Sequence, residues 1–159
     1  MRVPLVTAVV QTPLGGLELT ADDDALCKIS WPRADSTTLA APTSHPILAA
    51  TICQLTEYFA GERRAFDLPL APEGTTFQHR VWGALRQIPF GVTHSYGQLA
   101  RAIAQPNASR AVGAANGQNP LAIIVPCHRV IGSNGALTGF AGGQAAKRWL
   151  LDHEARLVH

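Results

Sequence analysis

Apolar and polar residues alternate along the first part of the chain, whereas further on the apolar residues recur every three or four positions. Alternation is typical of half-buried strands, and the longer spacing is typical of amphipathic helices. Residues 5–10 and 17–20 are predicted strands, joined by a turn at residues 12–16 that contains a proline and two glycines. Apolar positions then alternate with polar ones at Cys27, Ile29 and Trp31. The pattern therefore predicts a small antiparallel sheet of three strands.

A helical pattern follows this sheet. Ser44 is a candidate N-cap, and Gly61 stands just past the predicted end of the helix. The apolar positions of the helix are Leu48, Ile52, Leu55 and Phe59. Residues 68–74, with two prolines and a glycine, are typical of a linker. We therefore predict an N-terminal α/β domain over residues 1–72 and a second domain over residues 73–159.

The second domain is predicted to be mostly helical. Thr75 and Gln78 have the spacing of a capping box. One face of the helix that follows carries Phe77, Val81, Trp82, Leu85 and Ile88. A second helical pattern begins near Tyr96, residues 105–108 interrupt it, and Ser109 is a candidate cap for a further short helix. Two helices with a short break between them are typical of a helix-turn-helix. The predicted fold class is α+β, with the sheet and one helix first and the helical domain second.

The candidate chemistry lies after residues 121–125, which are apolar and partly β-branched and predict a buried strand that Pro126 ends. Cys127 and His128 follow. Neighbours on a strand point to opposite faces, so this pair can cooperate only if the backbone turns after Pro126 or a water bridges thiol and imidazole. A thiol needs a base, and the base needs an acceptor on its other nitrogen. Glu154 lies at the edge of the apolar face of a predicted helix and is the candidate acceptor. The sequence therefore predicts a Cys–His–Glu relay.

The composition narrows the classes to which this protein can belong. With 47% hydrophobic residues the chain can form a core, and we expect neither a membrane span nor a signal peptide. Three cysteines, an odd number, favour a reducing, cytoplasmic location. Cys27 and Cys53, with His45 as a third ligand, suggest a metal site, but neither cysteine has a ligand at close spacing. We interpret both as buried small hydrophobes, and predict no metal and no cofactor.

Charge is distributed unevenly over the two halves. The net charge is +2, from −3 over residues 1–72 and +5 over residues 73–159, which fits a polyanion that docks against the second half. Ala111 and Gly113 belong to a helix with almost no groups that could read base edges in the major groove. Small residues let a helix approach a narrow groove, and Arg110 supplies one long cation. The alternative is an internal packed helix with a surface arginine.

Residues 126–130, with the sequence PCHRV, resemble the active-site signature of the O6-alkylguanine-DNA alkyltransferases, also called methylated-DNA–protein-cysteine methyltransferases. Other segments resemble the same family in the same order. They are residues 77–82, 95–100, 109–113, 119–120 and 150–154. The resemblance is strong from about residue 75 to the end and loose over the first 70 residues.

The resemblance implies repair of O6-alkylguanine in double-stranded DNA by one transfer of the alkyl group to Cys127, with O4-alkylthymine as a further candidate substrate. In this family the damaged nucleotide is flipped out of the duplex through the minor groove. The implied catalytic residues are Cys127, His128, Glu154, Tyr96 and Asn119. The implied DNA contacts are Arg110, Tyr96, Ala111, Gly113 and Ser133. The implied substrate pocket contains Val130, Phe140 and Ala141. We expect a monomer with no obligate protein partner.

Two departures and three alternatives accompany this prediction. Relatives often have Tyr at the position of Phe140, and some have Ser at the position of Ala141, so backbone N–H groups are the expected contacts to O6 here. A cysteine hydrolase would use the same relay but would need an oxyanion hole, which the sequence does not locate. A lesion-binding relative without catalysis would lack Cys127. A helix-turn-helix regulator would read sequence, which the Ala/Gly-rich helix disfavours.

Overall fold

The fold of the chain is described by a computed structural model over residues 5–31, 44–137, 140 and 142–158. The chain divides into two compact units, Met1–Glu73 and Gly74–His159. The first unit combines a sheet with one helix, and the second contains the remaining helices. The α+β prediction is therefore confirmed.

The N-terminal unit is built on an antiparallel sheet of three strands in chain order. They are β1 (Val6–Thr12), β2 (Gly15–Ala21) and β3 (Leu26–Ser30). The β1–β2 turn needs a glycine, because Gly15 has a φ of 101°. Thr12 stabilises this turn with its hydroxyl, which donates to Gly15 O at 2.8 Å and accepts from Leu14 N at 3.0 Å. Helix α1 (Pro46–Phe59) packs against all three strands.

The predicted alternation at Cys27, Ile29 and Trp31 is wrong in detail, because β3 contains a bulge. Thr20 pairs with Lys28 whereas Ala21 pairs with Leu26, so Cys27 is an extra residue in the ladder. The bulge allows both Leu26 and Ile29 to be buried although they lie three positions apart. Cys27 is left half-buried.

Helix α1 also corrects two expectations. Its N-cap is His45 and not Ser44, and His45 Nδ1 accepts a hydrogen bond from Leu48 N at 3.4 Å. The buried positions of α1 are Leu48, Thr51, Leu55 and Tyr58. Cys53 lies outside that stripe and is exposed. The interpretation of Cys27 and Cys53 as buried hydrophobes is therefore wrong for both residues. Gly61 follows the helix with a φ of 80°, as its predicted role at the helix end requires.

The C-terminal unit contains four α-helices and two very short strands among its described residues. They are α2 (Thr76–Leu85), β4 (His94–Ser95), α3 (Tyr96–Ala102), α4 (Ser109–Gly117), β5 (Val130–Ile131) and α5 (Gln144–Val158). Capping boxes start α2 at Thr75 and α3 at Ser95. Helix α4 starts after Ala108 without a side-chain cap, so Ser109 is its first residue and not its cap. Helices α2, α3 and α4 pack on one another, and α3 and α4 form the predicted helix-turn-helix.

Residues 121–125 are buried as predicted, but they form a tight turn and not a strand. Val125 N donates to Leu121 O at 2.9 Å, and Ile123 has a φ of 77°, which closes the segment on itself. A β-branched residue rarely adopts this left-handed conformation, so surrounding contacts must impose it. The parallel pairing that does form joins β4 to β5, two residues each. It holds the start of α3 beside the segment that follows Cys127.

Candidate active site

The backbone turns sharply at Cys127. Cys127–Arg129 form a single 3₁₀ turn, here called the cysteine turn, in which Arg129 N donates to Pro126 O at 3.0 Å. Asn119 braces the chain just before it. Its Nδ2 donates to Val125 O at 2.8 Å, and its Oδ1 accepts from Leu121 N at 2.9 Å. These bonds fix the direction in which Cys127 leaves the core.

Helix α5 supplies the carboxylate of the relay. His128 Nε2 lies 2.7 Å from Glu154 Oε2, and the two side chains are 0% and 1% exposed. Arg129 binds the same carboxylate through two contacts, Nε to Oε1 at 2.8 Å and Nη2 to Oε2 at 3.0 Å. Gly91 N also donates to Oε1 at 3.2 Å. Glu154 is thus held by three residues, and its contact with Arg129 is a buried ion pair.

The surroundings fix the protonation of this pair. Burial opposes ionisation of Glu154, but hydrogen bonds from His128 and Arg129 and their charges lower the pKa of its carboxyl well below the usual range. Burial lowers the pKa of His128, and the interaction with Glu154 opposes this shift only in part. A neutral imidazole that donates from Nε2 to a carboxylate keeps the lone pair on Nδ1. Nδ1 is therefore the basic atom of the relay.

Cys127 is 3% exposed. Burial raises the pKa of its thiol to about 11, while a hydrogen bond with Asn119 and the charge of Lys147 act in the opposite direction. At neutral pH the resting thiol is thus protonated, and attack by sulfur requires a base. Lys147 is itself buried on the face of α5 that carries Glu154 two turns later.

The exposed side of helix α4 carries mostly small side chains. Arg110 and Ala111 are exposed near its start, whereas Val112, Ala115 and Asn116 are buried. Its middle lies close to the first residue of α3, because a Cβ on Gly113 would stand 3.7 Å from Tyr96 Cδ1. The structure thus brings Tyr96 and Gly113 together at the meeting point of the two helices.

The remaining predicted site residues lie on or after β5. Val130 is fully buried, Ser133 is exposed and Phe140 is half-buried. Ala141 lies outside the described residues. Over the described ranges, no three His, Cys, Asp or Glu side chains are grouped so that they could hold a metal ion. Nor does any described helix combine the length and apolar character needed to cross a membrane.

Sequence reasoning missed three residues of the site. Asn116 is 1% exposed and donates from Nδ2 to Cys127 O at 3.4 Å. Gly91 N and Lys147 were not anticipated either. A weak signal existed for two of them. Asn116 lies three positions before Asn119, and Lys147 lies seven positions before Glu154 on the same face of one predicted helix. Gly91 contributes only a backbone N–H group, and a pattern of side chains cannot predict such a contact.

A buried cysteine, followed directly by a histidine that contacts a buried glutamate and lying in one unit with a helix-turn-helix, fits a protein that acts on a nucleic acid with a thiol. Comparison with known families gives the same class. Residues 76–156 match the family described as 6-O-methylguanine DNA methyltransferase, DNA binding domain, and residues 5–72 match its ribonuclease-like domain. The chain belongs to the 6-O-methylguanine DNA methyltransferase family.

Individual relatives are similar in sequence to this chain over nearly its whole length. A methylated-DNA–protein-cysteine methyltransferase of Methanosarcina acetivorans is 46% identical over 151 residues, which are 92% of this chain and 96% of the relative. The constitutive enzyme of that name from Bacillus subtilis is 46% identical over 153 residues, 91% of this chain and 92% of its own. The chain is therefore an enzyme that repairs DNA by transferring a methyl group from the DNA to a protein cysteine.

Solved structures show the same fold. The crystal structure of Mycobacterium tuberculosis O6-methylguanine methyltransferase has a TM-score of 0.85 at 43% identity and covers 96% of this chain and 94% of that one. M. tuberculosis OGT in complex with DNA has a TM-score of 0.85 at 46% identity and covers 95% and 93%.

Proposed function

We propose that Cys127 is the acceptor of the alkyl group, that it acts once, and that O6-alkylguanine reaches it by flipping out of the duplex. The observation that carries this proposal is the relay. His128 is fixed against Glu154 at 2.7 Å, with its basic Nδ1 free for a proton, next in the chain to a buried thiol. Residues 73–159 would then contain both the chemistry and the DNA contacts.

The reaction balances without a cofactor. The thiol proton of Cys127 passes to His128 Nδ1, the sulfur attacks the alkyl carbon, and the bond from that carbon to guanine O6 breaks with its electron pair. The Tyr96 hydroxyl supplies a proton at guanine N3, since a neutral base leaves more easily. Asn119 holds the geometry of the cysteine turn. The product is a thioether, which is a poor leaving group, so each molecule is consumed.

The helix-turn-helix would bind the DNA and bring the damaged base to Cys127. Ala111 and Gly113 lie in the part of α4 where small side chains allow close approach to the minor groove. Arg110, exposed near the start of α4, would occupy the space that the flipped nucleotide leaves. Tyr96 would crowd the neighbouring phosphate, and Ser133 would add a contact to the backbone of the DNA.

The flipped base would lie against Val130, Phe140 and Ala141. Because Phe140 and Ala141 have no hydroxyl, backbone N–H groups would bind O6. O4-alkylthymine is a further candidate substrate. We also propose that the protein acts as a monomer in the cytoplasm, with no obligate protein partner, because one chain contains every residue that the reaction uses.

Transfer of a labelled methyl group tests the acceptor. A duplex with labelled O6-methylguanine is incubated with native protein and with Cys127→Ala, and peptides are mapped by mass. We expect one equivalent of label on Cys127 and none on the variant, while Cys27→Ala and Cys53→Ala label like the native protein. Label on another residue would contradict the proposal, and catalytic turnover without labelled protein would favour the hydrolase.

A substitution of Arg110 tests the flipping step separately. Arg110→Ala should slow transfer from the duplex by about tenfold or more, because the extruded state loses the group that fills the stack, an effect of at least about 1.4 kcal/mol. Transfer from free O6-methylguanine base, which needs no extrusion, should be unchanged. Equal loss on both substrates would contradict the role of Arg110.

A further inference from the structure

Two buried acceptor atoms of the site have no hydrogen-bond partner within the described part of the chain. They are His128 Nδ1 and Asn116 Oδ1. His128 is 0% exposed and Asn116 is 1% exposed. An unsatisfied buried polar atom destabilises the folded state, so two of them in one site indicate a shared purpose.

The orientation of the Asn116 amide follows from its other contact. Its Nδ2 donates to Cys127 O at 3.4 Å, so the carboxamide lies directly against the reacting residue. The reversed amide would turn an oxygen towards that carbonyl, which would place two acceptors face to face. Oδ1 is therefore an acceptor, and His128 Nδ1 is one too because Nε2 is occupied by Glu154.

The donor and acceptor inventory around Cys127 matches one water molecule. A water can donate two hydrogen bonds, which Asn116 Oδ1 and His128 Nδ1 can accept, and can accept one from the Cys127 thiol. Buried waters typically make about three hydrogen bonds to groups that would otherwise be unsatisfied.

We propose that Asn116 is a positioning residue that holds, through Oδ1, the water that carries the proton from the Cys127 thiol to His128 Nδ1. The proposal rests on the proposed role of Cys127 as acceptor. In the step, the thiol gives its proton to the water while the water gives one of its own to Nδ1, so the water is regenerated. Asn116 lies on the buried side of α4, whose exposed residues face the DNA in the proposed complex, so docking of α4 and alignment of the relay are joined in one helix.

Two substitutions of equal shape test this role. Asn116→Thr keeps an oxygen that can accept a hydrogen bond, and Asn116→Val replaces it with a methyl group. Single-turnover methyl transfer from an O6-methylguanine duplex is measured from pH 5 to pH 10. We expect Asn116→Val to be slower at neutral pH by at least about tenfold, in line with loss of proton transfer, and to need higher pH for its maximal rate. Asn116→Thr should stay within about threefold of the native rate.

Controls separate chemistry from folding. Asn107→Val, at an exposed position, should leave the pH profile unchanged, and thermal unfolding of each variant reports its structure. If Val and Thr variants both lose the fold, Asn116→Ala and Asn116→Ser repeat the comparison with smaller side chains. Equal rates and equal pH profiles for the paired variants would overturn the role of Asn116. Absence of label on Cys127 in native protein would instead overturn the proposed function.

Discussion

The two units of the chain differ in how many polar side chains they bury. Eight polar or charged side chains are buried in the described residues, and only one of them, Thr51, belongs to the N-terminal unit. Thr51 needs no special partner, because its hydroxyl donates to the carbonyl of Ile47 within the same helix. The other seven lie in the C-terminal unit, and they include His128 and Glu154. The buried polar groups are thus concentrated in the unit that contains the proposed site.

One ion pair from each unit makes the contrast quantitative. Arg63 Nε and Glu57 Oε1 lie 3.1 Å apart, with side chains 29% and 36% exposed. Arg129 Nε and Glu154 Oε1 lie 2.8 Å apart, with side chains 7% and 1% exposed. Exposed pairs contribute little because water screens them, whereas a buried charge that loses its partner is costly. We therefore expect the same chemical pair to be dispensable for stability in one unit and required in the other.

The largest expected effect comes from neutralising the carboxylate of each pair. Glu154→Gln should lower the free energy of unfolding by about 3–5 kcal/mol, because Arg129 is left buried and without its counter-charge. Glu57→Gln, the matched change in the more exposed pair, should cost about 1 kcal/mol or less. Urea unfolding of both variants at pH 7.5 measures the difference.

The rate of methyl transfer gives a second comparison of the same two variants. Glu154→Gln should also slow methyl transfer, since His128 loses the acceptor that orients its ring, whereas Glu57→Gln should react like native protein. If the two variants proved equally stable, the C-terminal pair would have no special energetic role.

The second effect is a dependence of stability on pH that arises in the C-terminal unit. Burial lowers the pKa of His128 in the folded state from its ordinary value of 6.5. Below pH 6.5 the unfolded chain therefore binds a proton that the folded chain does not, and stability falls as the pH falls, with a slope of at most about 1.4 kcal/mol per pH unit. Glu154, whose pKa is lowered from 4.5, adds a further loss below that pH.

The contribution of His128 can be isolated with one variant. Unfolding free energies at pH 7.5, 6.5 and 5.5 give the slope for the native protein. In His128→Gln the part of the slope between pH 6.5 and 5.5 that belongs to this imidazole should disappear. A slope that survives unchanged would assign the dependence to other groups.

Sequence patterns predicted the helices and the order of the elements well, because capping boxes such as Thr75 with Gln78 are local signals. They failed where a contact that the hydrophobic pattern does not contain decides the backbone. Residues 121–125 have the composition of a strand, yet the Asn119 side chain binds Leu121 N and Val125 O and folds them into a turn. The bulge at Cys27 likewise depends on the register of a neighbouring strand.

The site divides in the same manner. His128 and Glu154 could be paired from the sequence because their chemistry demands a partner for each. Asn116 could not be placed, because its role depends on which way one face of α4 turns. Patterns in sequence identify groups that react, and packing identifies the groups that support them.

The smallest effect concerns the residue that follows the C-cap of one helix in each unit. The residue after the C-cap is left-handed in both, with φ of 80° at Gly61 after α1 and 58° at Ala104 after α3. Glycine adopts this conformation without penalty, whereas a Cβ costs about 1–2 kcal/mol. Ala104→Gly should therefore raise the free energy of unfolding by roughly 1 kcal/mol, and Gly61→Ala should lower it by a similar amount.

Hydrogen exchange of the amides in α3 and in α1 measures the two changes within their own units. Ala104 is exposed, so no packing is lost when its methyl group is removed. A stabilising Ala104→Gly would mean that the C-terminal unit accepts strain in the turn of its helix-turn-helix that the N-terminal unit avoids. Should Ala104→Gly leave protection in α3 unchanged or lower it, the contacts of this turn, and not the missing glycine, would set its stability.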